Sequence, residues 1–255
     1  MIVPVPFQKN RFQQAAAHYR SGRPAYAPRL IARVAGLCGL QAGHRVMDLG
    51  CGPGPLALAF APLVRQVVAL DPEPAMLAEA RAAAAEAGAT NVEWLEASSY
   101  DLAPAFGPVR LVTIGRAFHW MDRADTLRRL DGIVQPGGAV ALFGDTHPDL
   151  PENAWRAEWR AVLGRHTGRR WRGPDWVRHE VPLLESPFSL LEEITVIERR
   201  TTRTPHLTAR ALSLSTTTAS PELVGELESL CTRIAPGGTV TETVASHALL
   251  AHRPE

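Results

Sequence analysis

Short apolar runs alternate with amphipathic stretches over the first 145 residues. Apolar runs bounded by turn residues read as buried strands, and apolar positions recurring every three to four residues read as helix faces. On that reading Arg45 to Leu49, Gln66 to Leu70, Val92 to Leu95, Arg110 to Ile114 and Ala139 to Phe143 are strands. Leu56 to Leu63, Ala75 to Ala87 and Thr126 to Val134 are helices between them. Pro74 and Gly88 bracket the second helix, and Pro136-Gly137-Gly138 closes the third. The alternation predicts an α/β fold, a doubly wound and mostly parallel sheet with helices on both faces.

The flanking regions are patterned differently. Phe12, Ala16 and Tyr19 share a helical face, Ser21-Gly22-Arg23-Pro24 interrupts, and Leu30 to Leu37 resumes the helix, so residues 1–40 form a helical cap. Residues 41–145 make the core and residues 146–190 an inserted cover, with an amphipathic helix over Glu152 to His166. In residues 191–255, Ile194 to Arg203 and Val240 to Leu250 are strands and Pro221 to Ile234 a helix. The two late strands are expected to pair antiparallel at the sheet edge. No linker separates these parts, and a single domain is expected.

Composition narrows the function classes. The chain has 255 residues, 45% hydrophobic and 21% charged, with a net charge of +1, which gives no footprint for nucleic acid or an anionic membrane. Cys38, Cys51 and Cys231 are too sparse for a disulfide framework or a zinc site, and no metal is expected. No apolar run is long enough to span a membrane, and the first twenty residues lack a secretory pattern, so a cytoplasmic location is expected. Arg165 to Arg172 is a basic stretch, either a solvated loop or an attractor of acidic ligands.

The chemistry concentrates in Val46-Met47-Asp48-Leu49-Gly50-Cys51-Gly52-Pro53-Gly54, where a strand runs into glycines and then a helix. Glycines let a ligand approach the backbone, and the helix offers free N–H groups. The spacing is G-x-G-x-G rather than the dinucleotide G-x-G-x-x-G. Asp48 suits a cationic ligand and would repel a pyrophosphate. Asp71 ends the next strand, where an acid in nucleotide-binding sheets takes ribose hydroxyls, although capping of the following helix is the plainer alternative.

These residues resemble the first motifs of the class I S-adenosylmethionine-dependent methyltransferases. The resemblance implies a Rossmann-like, seven-stranded sheet with an antiparallel last strand, and S-adenosyl-L-methionine as cofactor. It places Gly50, Cys51 and Gly52 against the cofactor, Pro72 and Met76 on the adenine side, and the Ala97 N–H and Ser98 at the adenine edge. Gly115 lies beside the methionine part. Ala117-Phe118-His119-Trp120 resembles a small-molecule branch that includes trans-aconitate methyltransferase-like proteins. There Phe118 and Trp120 would wall the sulfonium, and His119 would line the acceptor site or act as base. Arg116 either holds a carboxylate or orders its loop by a salt bridge.

The pattern Tyr19-x-x-x-Arg23-Pro24-x-Tyr26 also resembles that branch. It implies a cap closing over the cofactor, with Tyr19 and Arg23 on the methionine carboxylate and Tyr26 near the acceptor. The expected activity is methyl transfer to a small molecule, most simply O-methylation of a carboxylate or hydroxyl, by a monomer or homodimer. The alternatives are a cofactor-binding protein that does not methylate and, further off, a nicotinamide-dependent oxidoreductase.

Overall fold

The computed structural model describes residues 12–13, 15–168, 179–215 and 217–254. Seven strands form one sheet: β1 (Arg45–Leu49), β2 (Gln66–Asp71), β3 (Val92–Glu96), β4 (Val109–Gly115), β5 (Val134–Thr146), β6 (Leu190–Arg203) and β7 (Thr239–His252). Their order is β3-β2-β1-β4-β5-β7-β6. The first five are parallel, and β7 runs antiparallel between β5 and β6. This is the Rossmann-like arrangement expected.

The helices follow local signals. α1 is Ala16–Gly22; α2 (Pro28–Leu37) opens on a proline and buries Leu30, Ile31 and Val34. α3 (Pro55–Phe60) leaves the glycine turn. α4 (Pro74–Ala87) starts on proline and closes at Gly88 with φ +64°, a left-handed cap that suits glycine. In α5 (Arg123–Asp131) the Asp122 carboxylate accepts the Asp125 N–H at 3.0 Å. α6 (Trp155–Thr167), α7 (Glu180–Leu184), α8 (Thr204–Leu212) and α9 (Pro221–Ile234) complete the chain.

Strand residues alternate between two cores. Val46, Val67, Leu111, Ala141 and Leu250 pack under α2 and α3 with the fully buried Phe60. Met47, Val68, Val112, Leu142 and Ala251 pack under α5 and α7. A third cluster joins α6, α8 and α9 to Val240. β6 and β7 outrun β5: the β5 pairing stops at Thr146–Ala245, whereas β6 and β7 stay paired as far as Arg203–Thr239. This two-stranded overhang, with α1, α6 and α8, roofs the carboxyl end of the sheet. No helix among the described residues is long and apolar enough to cross a membrane.

Three elements differ from the sequence reading, of which α7 is a short helix not anticipated within the expected cover. Pro136-Gly137-Gly138 does not end α5, which stops at Asp131; it lies inside β5. Val109 pairs with Val134 and Leu111 with Ala139, so the intervening residues of β5 loop out opposite Arg110, with Gly137 at φ +68°. Helix α8 was not anticipated, although Pro205 and the spacing of Leu207, Ala211 and Leu212 carry a weak signal for it. Of the basic stretch, Arg165 and His166 lie at the end of α6 and bond Glu226 of α9; residues 169–172 fall outside the described residues.

Gly22 is where cap and roof meet. A Cβ there would lie 2.5 Å from the backbone carbonyl carbon and oxygen of Ala209 in α8. Gly22→Ala is therefore expected to lift α1 off α8 and to lower stability by about 1–3 kcal/mol, read by chemical denaturation.

Candidate functional site

The strand order reverses direction at β1: the chain moves to β2 and β3 on one side, then to β4 and β5 on the other. Ligands of open α/β sheets bind at the carboxyl ends beside such a switch point. Two segments emerge there, the Gly50–Gly54 turn after β1 and the Gly115–Trp120 segment after β4.

The glycine turn is held by two buried acids. Gly52 donates its N–H to Asp71 Oδ2 at 2.7 Å, and Glu73 donates to Oδ1 at 2.9 Å. Asp71 thus clamps the turn and the first residues after β2; it does not cap α4, whose N-cap is Glu73 with no side-chain cap bond. Asp48 accepts the Ala57 N–H of α3 at 3.0 Å and the Thr113 hydroxyl of β4 at 2.8 Å. It ties β1 to the elements on either side. Burial pushes the Asp48 carboxyl up to about 7, against the Thr113 and Ala57 hydrogen bonds. Burial likewise raises Asp71 to about 6, against the Glu73 and Gly52 N–H groups. The Cys51 thiol is buried and its pKa is raised well above the usual range by burial, with Asp71 and Asp48 adding to it, so it stays protonated.

A small enclosed cavity of about 20 Å³ lies between the two segments, lined by Tyr19, Tyr26, Asp48, Gly50, Cys51, Gly52, Pro55, Leu56, Gly115 and Arg116. Most of the residues singled out around the glycine turn meet here. Gly52 has φ +54°, and a Cβ on it would meet nothing within 4 Å, so the turn is open on that side. A Cβ on Gly115 would instead strike the Tyr26 hydroxyl and Leu56 at 2.8 Å, so its bareness serves packing of the cap. A wider cavity of about 560 Å³ between α6 and α9 contains none of these residues, and its Arg165 and Glu226 pair with each other.

Arg116 resolves toward the loop-ordering alternative. It has φ +54°, a conformation costly for a side chain with a Cβ. Its guanidinium bonds Asp145 at the end of β5, donates to the Pro24 carbonyl at 2.9 Å, and lies 4.4 Å from the Tyr26 ring centroid. Tyr26 packs edge-on against Phe143 at 5.5 Å. Burial alone would raise the Asp145 carboxyl, but Arg116, with His147 and Arg23 beyond it, holds it down to about 2. Arg23 lies 5.0 Å over the Tyr19 ring and donates to the Ser213 carbonyl at 3.2 Å; its buried Nε has no hydrogen-bond partner.

On the other side of the segment, Phe118 is 2% exposed and sits in the core. Its ring packs 5.3 Å from His179. Trp120 is half-buried between Phe12, at 5.6 Å, and His119, at 4.6 Å. Burial lowers the His119 pKa to about 4, helped by His179, Arg123 and Arg23, so the imidazole is neutral at physiological pH. His179 is lowered to about 4 by burial and Arg123.

The adenine-edge assignments find other partners. The Ala97 N–H bonds the Asp71 carbonyl at 3.3 Å. Ser98 and Asp101 form a capping box, with the Ser98 hydroxyl donating to Asp101 at 2.7 Å. The first group is paired with the end of β2 and the second within its own loop. Pro72 is half-buried and Met76 buried directly after Asp71.

Residues 46–138 match the methyltransferase domain family. An uncharacterised methyltransferase of Mycobacterium tuberculosis is 32% identical over 79% of this chain and 73% of its own length. The chain belongs to the class I S-adenosylmethionine-dependent methyltransferases. A trans-aconitate 2-methyltransferase of Methylobacterium radiotolerans is 32% identical over 57% of this chain and 56% of that protein. The structure of a putative type II methyltransferase from Anaeromyxobacter dehalogenans matches with a TM-score of 0.64 at 20% identity, covering 91% and 97% of the two chains. It shares the fold. In this methyltransferase the donor set fits S-adenosylmethionine: a buried acid for a cationic ligand, an open left-handed glycine, and an orphan Arg23 Nε for a carboxylate.

Sequence reasoning missed Asp145, His147, Glu242 and Arg210. Asp145 ends a parallel strand as Asp48 and Asp71 nearly do, and that signal could have found it. The Arg210–Glu242 pair joins residues far apart in the chain and left no local trace.

The elevated Asp48 carboxyl gives a signed expectation. The folded state holds its proton more tightly than the unfolded chain, so wild type loses stability as pH rises from about 4 to about 7. Asn at this position can still accept from Ala57 while its amide donates to the Thr113 hydroxyl. Asp48→Asn is expected to gain thermal stability relative to wild type across that window and to plateau above it, read by melting at stepped pH.

Proposed function

We propose that this methyltransferase holds S-adenosylmethionine over the Gly50–Gly54 turn and transfers its methyl group to oxygen of a small acid or alcohol. The observation that carries the reading is the turn itself, clamped by Asp71 and flanked by Asp48 at the switch point where the segment after β4 also emerges. The bound cofactor supplies a methyl group on cationic sulfur. Asp48 favours that charge from below the turn, and Gly52 gives the backbone close approach. Asp71 keeps lone pairs beyond its two backbone bonds, since an ionised carboxylate accepts about four, and these suit ribose hydroxyls. Tyr19 and Arg23 lie on the cap side, where Arg23 Nε needs an acceptor that a carboxylate supplies. The observed cavity is far below the hundreds of Å³ of a ligand pocket, so the cap with Tyr19 and Tyr26 gives way on binding.

His119 faces the acceptor side. A carboxylate acceptor is already nucleophilic, and His119 then orients it. With a hydroxyl acceptor the neutral imidazole would take the hydroxyl proton, and the bound cofactor would supply the methyl group from its sulfur. The resemblance to a trans-aconitate 2-methyltransferase supports oxygen as acceptor atom and does not single out its substrate.

Gly52→Arg fills the open side of the turn and is expected to abolish calorimetric binding of S-adenosylhomocysteine; unchanged affinity refutes the assignment. Acceptors are found by incubating labelled cofactor with hydroxy- and carboxylic-acid pools, scored by mass spectrometry. With a hydroxyl acceptor, His119→Ala is expected to lower kcat by about a hundredfold or more without changing cofactor affinity. Wild-type kcat at saturating cofactor should fall only as pH drops toward about 4.

A further inference from the structure

The roof over the carboxyl end of the sheet contains an arginine with no counter-ion among the described residues. Arg156 stands in the first turn of α6, and its Nε and Nη1 are buried with no hydrogen-bond partner among the described residues. Its described side-chain contact is the neighbouring Trp155 ring, 5.6 Å from the guanidinium carbon. Burial, with Arg210 and Arg160 nearby, lowers its pKa to about 10, and the fields of Glu242 and Asp145 only partly offset this. Arg156 is therefore charged at neutral pH in a place that disfavours charge.

The nearby acids are already committed. Glu242, on the β6–β7 overhang, takes both Arg210 terminal nitrogens at 2.8 Å, the Thr202 hydroxyl at 2.6 Å and His147 Nε2 at 3.0 Å. Asp145 is taken by Arg116. Arg23, Arg116, Arg156 and Arg210 thus share two carboxylates, Asp145 and Glu242. His147 is lowered by burial, although Glu242 opposes this, and adds no compensating negative charge. Two guanidiniums are left over, Arg23 and Arg156. The first has the cofactor carboxylate as its candidate partner under the reading above; the second has no carboxylate partner among the described residues.

The orphan cation stands in the roof at the carboxyl end of the sheet, the end that carries the proposed acceptor side. Asp145 ends β5 next to β4, from whose end His119 projects. The Asn153 amide, just ahead of α6, donates to the Thr243 carbonyl of β7 at 2.9 Å, and Arg210 Nη1 lies 3.5 Å from His147 Nε2, so α6 and these charged groups meet on the β6–β7 overhang. Ser246, opposite Asp145 in the β5–β7 register, and Trp155 Nε1 are further buried polar groups there without a partner among the described residues. Buried polar atoms in folded proteins are nearly always satisfied, and an uncompensated buried charge is costly enough that a resident anion is the natural explanation.

We propose that Arg156 is a specificity-determining residue that binds an oxyanion, a carboxylate or phosphate ester, carried by the methyl acceptor at a position apart from the atom methylated. This rests on the methyltransferase reading of the site for its meaning, but the anion site stands on its own geometry. The fork of a guanidinium matches both oxyanions, and water is already excluded from two of its nitrogens.

The test is calorimetric titration with tricarballylate and, separately, glycerol phosphate, each with and without saturating S-adenosylhomocysteine. Wild type is expected to bind at least one probe, and Arg156→Gln to weaken that binding about tenfold or more while S-adenosylhomocysteine affinity is unchanged. The stronger probe identifies the oxyanion. Arg156→Gln and Arg156→Met should melt at or above the wild-type temperature without ligand, because each removes a buried unpaired charge. Equal probe binding by wild type and variant, binding of neither probe, loss of S-adenosylhomocysteine affinity in the variant, or a lowered melting temperature in both variants overturns the proposal. Failure of wild type to bind S-adenosylhomocysteine would overturn the cofactor reading instead, and probe binding without it still decides the role of Arg156.

Discussion

The carboxyl end of β1 depends on two carboxylates that the fold has taken out of water. Asp48 holds α3 and β4 to β1, and Asp71 holds the backbone of Gly52 from the next strand. Without these bonds a run of glycines would be loose, because glycine loses the most conformational freedom on folding. With them the turn keeps one shape and stays open at Gly52. The cost is visible in the raised protonation range of both acids. Such a cost at a strand end beside a switch point marks a place arranged for a ligand, since a cation bound there would relieve it.

The cap and roof depend on a second kind of interaction, buried ion pairs between elements far apart in sequence. Arg116 accepts a left-handed backbone and in return joins β4 to Asp145 of β5 and to the chain between α1 and α2. Arg210 joins α8 to the overhang through Glu242 and reaches the Gly22 carbonyl of α1 at 3.2 Å. Such pairs give modest net stability because both charges are desolvated. Their geometry is directional, however, and it sets the cap at one position over the glycine turn. The same region leaves Arg23 Nε and Arg156 Nε and Nη1 without acceptors among the described residues, so the network that orders the roof also makes it electropositive.

The core of the fold was legible because its signals are local. The five parallel strands and the helices between them show as apolar runs and helical faces, and β1 with its glycines carries a motif. Asp48, Gly50, Gly52 and Asp71 could be picked out for the same reason, each being tied to a strand end within the motif. Legibility failed where a local signal has two structural uses. Pro136-Gly137-Gly138 would end a helix equally well, but strand pairing with β4 makes it a loop within β5. Phe118 reads as part of a ligand-facing wall, and the turn after Gly115 places it in the core. Ala97 and Ser98 find partners a few residues away or on the next strand, which no pattern in their own segment announces.

By itself the sequence determined the α/β alternation, the glycine turn, its two acids and the family to which they belong, because hydrophobic period and turn chemistry act over a few residues. Only the tertiary structure decided what each charged side chain faces. Arg116 became a strut once β5 brought Asp145 beside it, and His119 became a neutral imidazole once the cap and His179 buried it. Arg156 became an orphan once Glu242 was given to Arg210. The pairing and desolvation of a charge depend on neighbours brought from distant positions, and those are set by the fold as a whole.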